Sequence, residues 1–155
     1  MADAGRFDLG MAGAAEQIET GIKATPFSRI HQINDKEADA QREDLFSIMA
    51  QMAGMQNGSP REQKEIAVKC SSVFARKIRA HFHTEELLMA ARGMDGIAAH
   101  KEKHRKIELA CDEAARIAAA GTSDLRDVLT RIKFSFVPHI MRDDAALRQN
   151  GRKQA

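Results

Sequence analysis

Apolar residues recur every three to four positions along most of this chain, a period that predicts helices rather than strands. One stripe reads Leu45, Phe46, Met49 and Met52, a second Cys70, Phe74, Ile78 and Leu88, and a third Ile97, Ile107 and Cys111. Each stripe is interrupted, in register, by polar residues: Arg42 on the first, His81 and Glu85 on the second, His100 and His104 on the third. Side chains that share an apolar face are directed to the core, so these polar residues are expected inside the fold.

Stop signals divide the pattern into four long helices. The first is expected from Asn34, with Asn34 and Glu37 as a capping box, to about Met55, before the breaker Gln56-Asn57-Gly58. The second opens at Ser59-Pro60-Arg61-Glu62, with Ser59 as N-cap and Pro60 in the first turn, and runs to about Arg92. The third extends from about Gly96 to Ala120, with Asp95 as the expected cap and Gly121 as terminator. The fourth follows Ser123 and reaches about Gln149, with Pro138 expected to remove a hydrogen bond and bend it. Long helices joined by short loops must fold back on themselves, which predicts an all-α, up-down-up-down four-helix bundle over residues 34–150. Residues 1–33 are expected to be an N-terminal arm, with 11–23 a candidate short amphipathic helix, and 151–155 a basic tail.

Composition narrows the class. The 155 residues are 43% hydrophobic and 30% charged, as in an ordinary globular chain. Lys and Arg total 24 against 22 Asp and Glu, a balance that argues against a nucleic-acid partner. No apolar run has the length of a membrane span and no signal-peptide pattern is visible, so the expectation is a cytoplasmic protein with no membrane partner. Cys70 and Cys111 form no metal or redox motif and read as small buried hydrophobes, as Met49, Met52 and Met55 read as flexible core filling.

The histidines change the picture. His81 and Glu85 are four apart on the second helix, His100 and His104 four apart on the third, and His139 precedes Asp143 and Asp144 on the fourth. Residues four apart share a helix face, whereas His83, two from His81, points away to solvent. Buried imidazoles and carboxylates need partners, since each unsatisfied polar group costs about 1–3 kcal/mol. A shared metal ion satisfies all of them at once, and mixed nitrogen and oxygen donors suit iron.

The string His81-Phe82-His83-Thr84-Glu85-Glu86-Leu87-Leu88-Met89 resembles the His-Phe-x-x-Glu-Glu-x-x-Met signature of hemerythrins and bacterial hemerythrin-like proteins. His100-x-x-x-His104 and Pro138-His139-Ile140 with Asp144 resemble the motifs that follow it. The resemblance implies a four-helix bundle that holds non-haem iron and binds O2. In that pattern His100, His104 and His139 ligate one iron, His81 ligates the other, and Glu85 and Asp144 bridge them. Periodicity by itself favours Asp143, because residues five apart on a regular helix differ by about 140°; the bend expected at Pro138 permits either.

One departure matters. The first-helix histidine of the family's Ile-Asp-x-Gln-His frame is replaced here in Ala38-Asp39-Ala40-Gln41-Arg42. Arg42 has no lone pair to offer a metal, yet it lies on the core-facing stripe. It is expected to stand where the second ion's charge would be, paired with Glu85 and Asp144, giving a mono-iron or weakly loaded site in place of the family's two irons. Asp39 as substitute ligand, His31 folding in from the arm, and Arg42 reaching solvent with its stem in the core are the alternatives. The family's tryptophan ahead of the last histidine is replaced by Ser135, with Phe134 and Phe136 expected to do the packing, and Arg148, Arg152 and Lys153 are expected to be a solvated tail.

The expected function is therefore an atypical hemerythrin-like iron protein that binds O2 or a related small ligand for storage, delivery or sensing, and not an enzyme. The competing readings are a metal-poor structural or signalling module of the same fold and a weak di-iron oxidase or peroxidase. No histidine has a Glu three residues before it, the arrangement of ferritin-like oxidases.

Overall fold

The computed structural model describes residues 32–154. They form α1 (Lys36–Gly54), α2 (Pro60–Ala91), α3 (Ile97–Ala120), α4 (Leu125–Pro138), a π-helical turn (His139–Asp143) and α5 (Ala145–Gln154), with no strand among the described residues. The arm expected over 1–33, including His31, lies outside the described residues except at its end. No helix among those described is long and apolar enough to cross a membrane.

The helix starts follow from local chemistry. Ser59 and Glu62 make the reciprocal capping box, Glu62 Oε2 accepting from the Ser59 N–H at 2.8 Å. At α1 the cap is Asp35, whose side chain accepts from the Ala38 N–H at 2.9 Å. Asn34 instead takes φ +58, so the box expected with Glu37 does not form. At α3 the cap position falls on Gly96, with φ +76, rather than Asp95. The backbone turns there through a left-handed conformation that Gly adopts without steric penalty.

The core has two parts. The larger joins Leu45 and Met52 of α1, Phe74 and Phe82 of α2, Ile107 and Cys111 of α3, and Ile132 and Phe136 of α4. Phe136 sits 5.5 Å from Phe46 and 5.6 Å from Phe74, ring centre to ring centre. The smaller cluster joins Ile33, Ala38, Met89 and Leu147, with Met94 and Ile97 packed against it. Between the two lies a layer of buried polar residues: Arg42, His81, Glu85, His100, His104, His139 and Asp144.

Phe136 is buried as expected, but Phe134 is 77% exposed. The buried residues of α4 are Leu125, the adjacent Val128 and Leu129, Ile132 and Phe136, successive turns of one face, and position 134 falls off that stripe. Met49, Met52, Met55, Cys70 and Cys111 are all buried.

α5 is tied to the start of the described chain. Arg92 donates to the Ile33 carbonyl at 3.1 Å and to the Leu147 carbonyl at 3.4 Å. Gly151 packs so closely on Ile33 that an added Cβ would lie 2.2 Å from its carbonyl oxygen.

Candidate metal centre

Glu85, His100, His104, His139 and Asp144 each offer a ligand atom within 4.8 Å of all the others, and all five residues are buried. His104 Nε2 is 3.1 Å from Glu85 Oε2 and 3.1 Å from His139 Nε2. Asp144 Oδ1 is 3.0 Å from His139 Nε2 and 3.2 Å from His100 Nε2. Two helices and the turn after α4 supply these groups. His100 and His104 are one turn apart on α3, and Glu85 faces them from α2.

The fifth group depends on the π turn. The Asp144 N–H donates to the His139 carbonyl, five residues back, at 3.1 Å. An α-helix would bond four residues back and place Asp143 under His139. The wider turn places Asp144 at His139 Nε2, while Asp143 lies on the outer side of the ring, 3.2 Å from Nδ1. Single π turns of this kind recur at functional sites.

The imidazoles are held from outside. His104 Nδ1 meets Glu86 Oε1 at 2.8 Å and His139 Nδ1 meets Asp143 Oδ2, with Lys103 2.6 Å from Asp143. Carboxylates at Nδ1 keep the ring proton there and turn the Nε2 lone pair inward, the arrangement that supports metal-bound histidines. Phe82 stacks on His104 with ring centres 3.8 Å apart, which fixes the ring plane.

The Nε2 atoms of His104 and His139 stand 3.1 Å apart, a separation that needs a proton or a cation between them. His100 Nε2 and Asp144 Oδ1 are buried without a hydrogen bond, although close in distance. Donors gathered round a common centre show this misalignment, and buried polar atoms left so carry a penalty of about 1–3 kcal/mol each. The imidazole and carboxylate set could therefore hold a metal ion.

Electrostatics agree with a cluster that draws in positive charge. Burial works against protonation of His100 and His139, but the Asp144 and Glu85 carboxylates close beside them outweigh it and hold both imidazoles up at about 9. Burial pushes the Glu85 carboxyl up; the surrounding histidines overcome this and hold it well below its ordinary value. Asp144 is lowered too, against burial and the Glu85 charge, by His100, His139 and Arg42.

Arg42 is buried and reaches both carboxylates, with Nη2 2.6 Å from Glu85 Oε1 and 2.5 Å from Asp144 Oδ2. Each carboxylate thus divides its oxygens, one toward the imidazoles and one toward the guanidinium. His81 stands on the guanidinium side, outside the five-residue group, with Nε2 2.8 Å from Glu85 Oε1 and 3.4 Å from Arg42 Nε. Its Nδ1 meets Gln41 at 3.2 Å, and Gln41 donates to Thr84. Asp39, the alternative considered as substitute ligand, is placed elsewhere: its Oδ1 accepts the Ile33 N–H at 2.9 Å. His83 is exposed.

Sequence reasoning missed the roles of Glu86, Asp143 and Arg148. Arg148, expected to be solvated, donates to the carbonyls of Ile140 and Met141. Glu86 was findable, as the carboxylate beside Glu85 on a helix packed against His104. No family model matches the chain, and no curated protein or solved structure matches it.

Proposed function

We propose that this chain is a hemerythrin-like protein that holds one non-haem iron and binds O2 or a related small ligand, for storage, delivery or sensing. The observation that carries the reading is the convergence of three inward imidazole nitrogens and two carboxylate oxygens on one buried point, with Arg42 on the remaining carboxylate oxygens. The up-down-up-down topology is part of this proposal. It is supported by the order of clusters along the chain, α1 and α3 running from the smaller to the larger, α2 and α4–α5 the reverse.

His100, His104, His139, Glu85 and Asp144 would hold the ion. When bound, ferrous iron supplies the electron density that a ligand such as O2 draws on. Glu86 and Asp143 orient His104 and His139, and Phe82 keeps water from the His104 ring face. Arg42 offsets one of the two carboxylate charges, the part a second cation plays in a di-iron arrangement. A guanidinium in that place leaves His81 without an ion to bind, which is why one iron is proposed rather than two.

A specific observation favours a second reading, a metal-poor structural or signalling module: Arg42 already bonds both carboxylates. Metal analysis and the visible spectrum of protein purified from iron-rich medium decide between the two. The proposal expects about one tightly held iron per chain and no oxo-bridged di-iron charge-transfer bands. Two irons per chain overturn the single-ion assignment, and a colourless chain with trace iron establishes the module.

A further inference from the structure

The register of one turn selects which of two adjacent aspartates enters the centre. His139 is followed by Asp143 and Asp144. In an α-helical register, four residues from His139 bring Asp143 nearly back to the same face, whereas Asp144 is rotated away by about 140°. In the π register, where the Asp144 N–H bonds to His139, the assignments exchange. Both residues are carboxylates of equal length, so the sequence carries a competent oxygen donor for either register.

Something must hold the rarer register. Pro138, just before the turn, has no N–H to give, and the backbone ladder resumes four-residue steps only with the Arg148 N–H to Asp144 bond, at 3.0 Å. Carbonyls at such a change of step lose regular partners. Arg148 reaches two of them, those of Ile140 and Met141, the latter at 3.0 Å. An α-helical Asp144 N–H would take the Ile140 carbonyl, which is the oxygen that Arg148 occupies.

We propose that Arg148 is the positioning residue of the metal centre: its guanidinium holds the Ile140 and Met141 carbonyls, keeps the 139–143 turn in the π register, and thereby presents Asp144 rather than Asp143. The inference rests on the metal reading only for its loading measurements; the register itself is read without metal.

The test uses the full chain. In metal-free protein, through-hydrogen-bond NMR coupling should connect the Asp144 amide to the His139 carbonyl. In Arg148→Met it should move to the Ile140 carbonyl, and Arg148→Lys, which keeps a donor, should retain the wild-type coupling. Coupling that stays with His139 in Arg148→Met overturns the proposal. Cobalt(II) titration gives the second readout. In the wild-type background Asp144→Asn should weaken cobalt binding at least tenfold more than Asp143→Asn, and in Arg148→Met that order should invert. An order unchanged by Arg148→Met refutes the proposal. Failure of the wild type to bind cobalt or iron overturns the metal reading alone, with the coupling still deciding the register. If Arg148→Met does not fold, Arg148→Leu, which also lacks a donor, takes its place with the same expected shift.

Discussion

Glu85 gives one carboxylate oxygen to Arg42, at 2.6 Å, and turns the other toward three imidazoles. Removing the guanidinium therefore strands charge that the fold has already taken out of water. In metal-free protein, Arg42→Met is expected to lower stability by about 3–5 kcal/mol, the usual cost of leaving a buried ion partner uncompensated. Added divalent metal should restore part of this, since an ion can neutralise both carboxylates. Arg42→His replaces the guanidinium with a ligand and should raise iron from about one to about two per chain. Denaturant melts with and without metal, beside metal analysis of both variants, check these outcomes; an iron ratio unchanged in Arg42→His defeats the account of Arg42 as the excluder of a second ion.

Glu86 touches no candidate metal position, yet holds His104 Nδ1 at 2.8 Å. Loss of such an outer carboxylate weakens metal binding by about 10- to 100-fold. Glu86→Gln should therefore lower cobalt(II) affinity within that range. Its side chain is only partly buried, so the melting temperature of the metal-free chain should hardly move. Equal affinity in the variant and the wild type would show that the Glu86 charge is not what holds His104.

Much of this arrangement is legible in the sequence because the helix period is rigid. His81, Glu85, His100 and His104 fall on apolar stripes, and the structure buries all four. The Ser59 box is equally plain, since capping depends on residues three apart. Asn34 and Asp35 are both good capping residues, and only the backbone angles choose Asp35. The π turn was not legible, because Pro138 signals an interruption without stating which register follows. Arg148 was hidden for the same reason: its partners are backbone carbonyls whose availability depends on that turn. Phe134, by contrast, could have been placed outside by counting from Leu125.

The two thiols give a pH dependence away from the candidate centre. Burial pushes Cys70 up to about 11 and Cys111 up to about 12, from an ordinary value of 9.0. Folding then favours the protonated thiols. Their contribution is complete below pH 9 and is lost as pH rises toward the folded values, because the unfolded chain sheds those protons first. Stability should fall above pH 9 by at most about 1.4 kcal/mol per pH unit for each thiol. Cys70→Ala with Cys111→Ala should flatten this alkaline slope, whatever it does to stability at neutral pH. Denaturant melts from pH 7 to 10.5 measure it, and a slope identical in the double variant rules the thiols out as its source.

How α5 is seated bears on the candidate centre, since Asp144 directly precedes it. Ile33 is held on three sides: Asp39 takes its N–H, Arg92 takes its carbonyl, and Gly151 packs against that same carbonyl. A methyl group at 151 would lie 2.2 Å from the carbonyl oxygen and 2.9 Å from the carbon, so the backbone has to move. Overpacking of this kind costs about 1–3 kcal/mol. Displacing α5 also pulls on Asp144, so Gly151→Ala should weaken cobalt binding as well as lower the melting temperature. Gly54 is the matched control, with nothing within 4 Å of an added Cβ, and Gly54→Ala should be neutral or stabilise by up to about 1 kcal/mol. A Gly151→Ala chain that melts with the wild type would mean that α5 does not pack on Ile33 as described, and Asp144 would then lack the support this seating gives it.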